Sequence, residues 1–327
     1  MSGRTIAIHH VNAALRGARA SGLDVEPVLR AAGIPPRLCE EERARVTPDQ
    51  FTRLIQGLWL AMDDELMGFG PQPSRRGTFA MMCHATIGCR SLGHALRRGT
   101  AFYALFPGAP RVAIDRGDGR AAMSFALPGF DDPDHFLTES LLVIWHRYSS
   151  WAIGRRIPLD GLDLAYPAPS HAAEYDLMFG CPLRFGAPTT VLTFAERYLD
   201  YPLLQDEASL RVFLRDSPAD LLGRRDYDSS VGEQVRRMLT HGTTTLDAAA
   251  ARLAVSPQTL RRRLAAEGTS FRALKDQLRR DAAIEALSRG DESIEDLGRR
   301  LGFSEASAFH RAFRRWTGDS PGSYRGR

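Results

Sequence analysis

Near its C-terminus the chain repeats itself, and this repeat narrows the possible folds more than any other feature of the sequence. Ala250, Leu253, Val255 and Ser256 recur 48 residues later as Gly298, Leu301, Phe303 and Ser304. Leu260 and Leu264 recur after 49 residues as Phe309 and Phe313, and Gly268 and Ser270 after 50 as Gly318 and Ser320. Each copy predicts two helices joined by a tight turn. The first helix carries a small residue, Ala250 or Gly298, where a second helix must come close. Ser256 and Ser304 are placed to cap that second helix by accepting from its free backbone N–H groups. The pairs Leu260/Leu264 and Phe309/Phe313, four residues apart, form its buried stripe. A turn glycine is present in the second copy as Gly302, while the first copy has Ala254. One small helix-turn-helix module therefore occurs twice.

The outward faces of the second helices carry the chemistry. In the first copy they show Gln258, Thr259, Arg261, Arg262 and Arg263. In the second they show Glu305, Ala306, Ser307, His310, Arg311, Arg314 and Arg315. A second helix laid in the major groove reads base edges with its N-terminal residues. Gln pairs with adenine and Arg with guanine in bidentate fashion, and the later arginines meet phosphates. Charge agrees with this reading. The formal net charge is +4, and from Tyr227 onward 18 Lys/Arg face 13 Asp/Glu, so the positive excess lies wholly in the last third. A basic segment of this kind favours a polyanionic partner, and double-stranded DNA fits it.

The first two thirds mix helical and strand patterns. Helices are predicted over Val11–Ala20, Glu26–Ala32, from Thr47-Pro48 onward, and over Ser91–Leu105, Phe136–Ile153 and His171–Phe179. Arg111–Ile114 and Ala121–Leu127 read as a hairpin around Arg116–Gly119, and Leu162–Tyr166 and Val191–Phe194 as further strands. A polar stretch with Pro218, Gly223, Arg224 and Arg225 marks a linker. The expected organisation is an α+β N-terminal domain over 1–215, a linker over 216–228 and an all-α C-terminal domain over 229–327. Apolar residues make up 43% of 327, enough for two cores.

Other signals are weaker. The four cysteines form no CxxC pair, so neither a zinc site nor a disulfide framework is expected. Cys83, His84, Cys89 and His94 lie among apolar neighbours, which favours burial over metal binding. Asp131, Asp132 and Asp134 suit either a loop before the long helix or an acidic clamp. Trp145 and Tyr148 are neighbours on that helix and are the candidate effector contacts. Gly318-Asp319-Ser320-Pro321-Gly322 spells the hydrolase motif G-x-S-x-G, but it lacks the preceding strand that a nucleophile elbow needs. No Walker A or H-E-x-x-H motif occurs, and no metal, cofactor or catalytic residue is expected. No apolar run is long enough to span a bilayer and no signal-peptide pattern opens the chain, so a cytoplasmic protein is expected. One lysine, Lys275, against 42 arginines, with a single asparagine, Asn12, fits a high-GC bacterial genome.

The repeat has a recognisable text. Leu246–Arg325 contains AAARLAVSPQTLRRRLAAEGTSFRAL, then LKDQLRRDAAIEAL, then SIEDLGRRLGFSEASAFHRAFRRWTGDSPGSYR. This stretch resembles the DNA-binding domain of the AraC/XylS regulator family. The resemblance implies a seven-helix unit in which a linking helix, about Phe271–Leu287, holds both helix-turn-helix motifs for two major-groove half-sites per monomer. It also implies transcription activation as the usual mode, with RNA polymerase as a partner. LRAAGI, HFLTESLL, AYPAPSHAAEYDLMFGCPLRFGAP and LDYPL resemble the ligand-binding domain of the ornithine-utilisation-regulator branch. That implies a small-molecule effector and homodimerisation through the front domain. Fusion of an enzyme to the same DNA-binding unit, as in alkyl-acceptor repair proteins, calls for a Pro-Cys-His context that this sequence lacks.

Overall fold

A computed structural model describes residues 5–216, 231–240, 245–253, 255–290 and 292–325. Of the expected linker 216–228 only Asp216 is among them, and Ala254 also lies outside the described residues. The chain divides into two compact units. One comprises His10–Ala32 and Phe51–Gly223, the other Met1–His9, Gly33–Gln50 and Arg224–Arg327.

The first is an α+β unit. Its sheet has five strands: β3 (Arg111–Gly117), β4 (Arg120–Ala126), β5 (Leu159–Leu164), β6 (Leu183–Phe185) and β7 (Thr190–Ala195). They lie in the order β3-β4-β7-β5-β6, antiparallel except for the parallel pair β5–β6. The hairpin is tighter than the sequence predicts. Asp118 and Gly119 alone form the turn, with φ of 53° and 74°. Both central residues of such a turn need positive φ, which Asp-Gly tolerates. Ala121, Met123 and Phe125 alternate inward from β4, and Leu192 and Phe194 from β7. Helices α4 (Thr78–Ile87), α5 (Leu92–Tyr103), α6 (Phe136–Ala152), α7 (Ala173–Phe179) and α8 (Glu207–Asp216) complete this part of the unit. Ser91 caps α5 by accepting from the His94 N–H.

The acidic loop before α6 begins that helix. Asp132 is its cap: its carboxylate accepts from the N–H groups of Leu137 and Thr138, each at 2.9 Å, and from the Thr138 hydroxyl at 2.8 Å. This replaces the cap that His135, at φ 60°, does not supply. Asp134 pairs with Arg16 at 2.6 Å. The acidic loop thus starts a helix and ties it to α1 (Ile8–Ala20). Cys83 and Cys89 are buried free thiols, and burial pushes the Cys83 thiol above its ordinary range. A thiol held protonated is a poor nucleophile and metal ligand.

The second unit is built around helices α9 (Val231–Thr240), α10 (Leu246–Arg252), α11 (Pro257–Ala266), α12 (Phe271–Arg289), α13 (Ile294–Arg300) and α14 (Ala306–Thr317). A two-stranded ribbon belongs to it: β1 (Ile6–Ala7) pairs antiparallel with β2 (Arg45–Val46). Its strands are too short for any sequence period to announce. The ribbon meets α12 through buried polar groups. Thr5 Oγ1 donates to Asp281 Oδ1 at 2.6 Å, and Arg45 donates from Nε to Thr5 Oγ1 at 2.9 Å. The Arg45 N–H donates to the Tyr324 hydroxyl at 3.1 Å, and Arg37 donates to the Ser323 carbonyl at 2.9 Å.

His146, buried on α6, has a nitrogen 2.8 Å from the Ile157 carbonyl. Desolvation, opposed by that hydrogen bond and reinforced by Arg147 and Arg156, lowers its pKa to about 4. An unfolded histidine takes up its proton near pH 6.5. Between those values the unfolded chain binds more protons, so stability falls as pH drops from about 6.5 towards about 4. Urea denaturation at about pH 7 and about pH 5 should show this loss, and His146→Gln should flatten it. An equal loss in the variant would assign the pH dependence to other groups.

Candidate nucleic-acid interface

The two helix-turn-helix motifs are built by the same local bonds. In the first, Thr245 caps α10 and Ser256 caps α11, each side chain accepting from the backbone N–H three residues on. The Val255 N–H donates to the Ala250 carbonyl at 3.0 Å. In the second, Ser293 caps α13, and the Phe303 N–H donates to the Gly298 carbonyl at 3.0 Å. The repeat offset of the sequence is thus a repeated turn in space. Gly298 needs to be small: a Cβ there would stand 3.3 Å from the Phe309 Cβ. Gly302 has φ +82°, and the Arg279 guanidinium lies over Phe303 at 5.2 Å. Ala249, Ala250, Leu260, Leu264 and Leu274 bury one core, with Val235 from α9. Leu297, Phe309 and Phe313 are buried in the second motif, where Tyr324 meets Phe313 edge-on at 5.1 Å.

Helix α12 joins the two motifs over 19 residues, two longer than the sequence suggests, from a Ser270 cap to Gly290 at φ +76°. Six α-helices and a final 3-10 turn at Pro321–Tyr324 make up the described C-terminal part. In the middle of α12, Asp281 is 1% exposed and receives Arg236 at 3.3 Å, Arg280 at 3.0 Å and the Thr5 hydroxyl.

One expectation is corrected. Ser304 does not cap the second recognition helix. Glu305 occupies that position, at φ −135° and ψ 140°, and makes no side-chain cap bond. The buried stripe sets the start of the helix: Phe309 must face Gly298, and the one-residue increase in offset before it moves Ser304 out of place.

The candidate DNA contacts lie where the stripe predicts. Gln258, Arg261, Arg262 and Arg263 are exposed on α11, and Ala306, Ser307, His310, Arg311, Arg314 and Arg315 on α14. Thr259 is half-buried, and its backbone N–H and hydroxyl both engage Ser256. Among the described residues no carboxylate pairs with Arg261, Arg262, Arg263, Arg311 or Arg314, which leaves five guanidinium groups available to an anionic partner. Arg315 is held differently, 3.6 Å from Asp276 on α12.

In the α+β unit, the structure places Trp145 and Tyr148 in different apolar clusters. Trp145 faces the sheet and packs against Gly99. Tyr148 hydrogen-bonds Thr86 and packs against Phe79, Trp151 and Phe213. A buried polar group that the sequence reading missed sits earlier on the same helix. The Glu139 carboxylate accepts from the Tyr175 hydroxyl and lies 3.0 Å from His171 Nε2 and 3.6 Å from His10 Nδ1. Its signal was a lone acidic residue in an apolar helix. Among the described residues no cluster of His, Cys, Asp and Glu is arranged to hold a metal, and no helix is long and apolar enough to cross a membrane.

Residues 22–203 match the family described as the arabinose-binding domain of AraC transcription regulator, N-terminal. Residues 249–327 match a helix-turn-helix domain family. The ornithine utilization regulator of Pseudomonas aeruginosa is 25% identical over 311 residues, spanning 93% of this chain and 91% of that protein. The HTH-type transcriptional regulator VirS of Mycobacterium tuberculosis is 32% identical over 158 residues, covering 47% of this chain and 46% of that one. The transcriptional activator NphR of a Rhodococcus species is 37% identical over 112 residues, 34% of this chain and 33% of that one.

The equivalent serines before the two recognition helices should differ in what their removal costs. Ser256→Ala should remove about 1 kcal/mol of stability, the usual value of a lost cap. Ser304→Ala, which breaks no cap, should cost about 0.5 kcal/mol or less. Chemical denaturation of the full chain measures both, and equal losses would contradict the shift of the helix start to Glu305.

Proposed function

Because the chain belongs to the family of AraC transcription regulators, we propose that it activates transcription from a specific operator under the control of a small-molecule effector bound in the α+β unit. The observation that carries this reading is the doubled motif with five exposed arginines, Arg261, Arg262, Arg263, Arg311 and Arg314, that pair with no carboxylate among the described residues. Two recognition helices hang from one linking helix of 19 residues, which at 1.5 Å per residue is about 28 Å long. That length is comparable to one turn of B-DNA, roughly 34 Å, which separates successive major-groove half-sites on one side of the duplex. Gln258, Arg262 and Arg311 are the proposed base readers and Arg314 a phosphate contact, with Thr259, Arg261, Arg263, Ala306, Ser307, His310 and Arg315 completing the DNA-facing surface. An activator named among the relatives supports activation, and a metabolic regulator aligned across nearly the whole chain supports effector control. Cytoplasmic location, contact with RNA polymerase and homodimerisation go with this role.

Effector control requires a ligand that prefers one state of the protein over another. The test is selection of genomic fragments by the full chain at two salt concentrations, followed by affinity for the recovered operator with and without a panel of amino acids, polyamines and fatty acids. A shared motif with two half-sites about one turn apart is expected, and at least one compound should change operator affinity or transcription. A motif with no responsive compound would favour a constitutive regulator whose front unit only dimerises. Salt-sensitive binding with no motif would leave an architectural DNA binder.

The recovered operator also separates the arginines. Arg262→Ala and Arg311→Ala should each cost about 1–3 kcal/mol at the specific site and relax one base position. Arg314→Ala should weaken all sequences alike. Uniform losses in all three variants would overturn the base-reading assignment.

A further inference from the structure

The residue that breaks the register between the two motifs carries a chemistry of its own. Where Ser256 caps α11, Glu305 stands at the start of α14, and its carboxylate accepts from no backbone N–H of the helix it begins. It accepts instead from the Ser307 hydroxyl at 3.1 Å, two residues into the exposed face. Glu305 is exposed, and neither recognition helix, Pro257–Ala266 or Ala306–Thr317, contains an acidic residue. It is therefore the one carboxylate at the leading end of either helix.

Its neighbours show how unusual that is. Among the described residues, the carboxylates leading into and along α13 are each matched to an arginine: Glu292 with Arg300, and Glu295 and Asp296 with Arg299. On α12, Asp276 holds Arg315. These charges are compensated before any phosphate comes near. Among the described residues Glu305 pairs with no arginine, lysine or histidine. An uncompensated carboxylate against the DNA backbone is repelled, so its presence there needs a donor on the DNA. The major groove offers exocyclic amines, and cytosine N4 is the one that a carboxylate reads as a pure acceptor. The N-terminal end of a recognition helix is the part that meets base edges.

We infer that Glu305 is a specificity-determining residue that selects cytosine at one position of the half-site bound by the second motif, accepting from the cytosine N4 amine while Ser307 orients its carboxylate. The inference rests on sequence-specific DNA binding by the two recognition helices and adds to it a negatively charged reader among the arginines. A carboxamide in the same place presents a donor and an acceptor together, the pattern that adenine matches.

The test is selection from a randomised duplex library by the full chain, the Glu305→Ala variant and the Glu305→Gln variant, with affinities for the recovered sites and their single-base variants. The parent protein should select cytosine at one position, and replacing that base should weaken binding roughly ten- to a hundredfold. Glu305→Ala should lose the preference at that position alone, leaving the rest of the motif intact, and Glu305→Gln should move it towards adenine. Recovery of the same motif by all three proteins would overturn the inference while leaving sequence-specific regulation standing. An equal gain in affinity for every sequence in both variants would also overturn it, and would make Glu305 a repulsive brake on phosphate contact. Failure of the parent protein to select any motif would overturn both.

Discussion

A single carboxylate buried in the middle of the linking helix organises the unit that binds DNA. Removing Asp281 from water costs several kcal/mol on its own. That cost is offset by two guanidinium groups and a hydroxyl, each from a different neighbourhood: Arg236 from α9, Arg280 from the linking helix itself, and Thr5, the residue that leads into the ribbon. The bonds fix the rotation of α12 about its axis. Because α10–α11 pack on one end of that helix and α13–α14 on the other, its rotation governs where both recognition helices point. Hydrophobic burial alone would hold these helices together with looser orientation.

Much of this was legible in the residues because it is local. The doubled spacing, the cap at Ser256 and the four-apart stripes each depend on contacts within a turn or two of one helix. Helix ends followed the same logic, as with Thr47 and Gln50, whose side chains accept from one another's backbone N–H groups. The exposed placement of the arginines followed from the stripes opposite them. What escaped was set by distant partners. Thr5 and Asp281 are 276 residues apart. The cluster on Glu139 draws His10, His171 and Tyr175 from separate elements, and β6 is three residues whose strand character comes from pairing with β5. Ser304 shows where a local rule gives way: a plausible cap lost its place because a buried phenylalanine set the helix start. Trp145 and Tyr148 show the reverse, neighbours along one helix that packing sends into separate cores.

The membership of the ribbon bears on how such a protein can be recombined. In chain order the DNA-binding helices form one block at the C-terminus. In space they share a unit with residues from the first fifty. Grafting the C-terminal block onto a foreign sensor would carry the recognition helices across and leave Thr5, Arg37 and Arg45 behind. Asp281 would arrive short of a donor, and the Tyr324 hydroxyl and Ser323 carbonyl would arrive without their partners. A new sensor would therefore have to bring a ribbon of its own. Because the DNA-binding unit draws on three separate segments of the chain, the modularity suggested by the linear sequence is narrower in the folded protein.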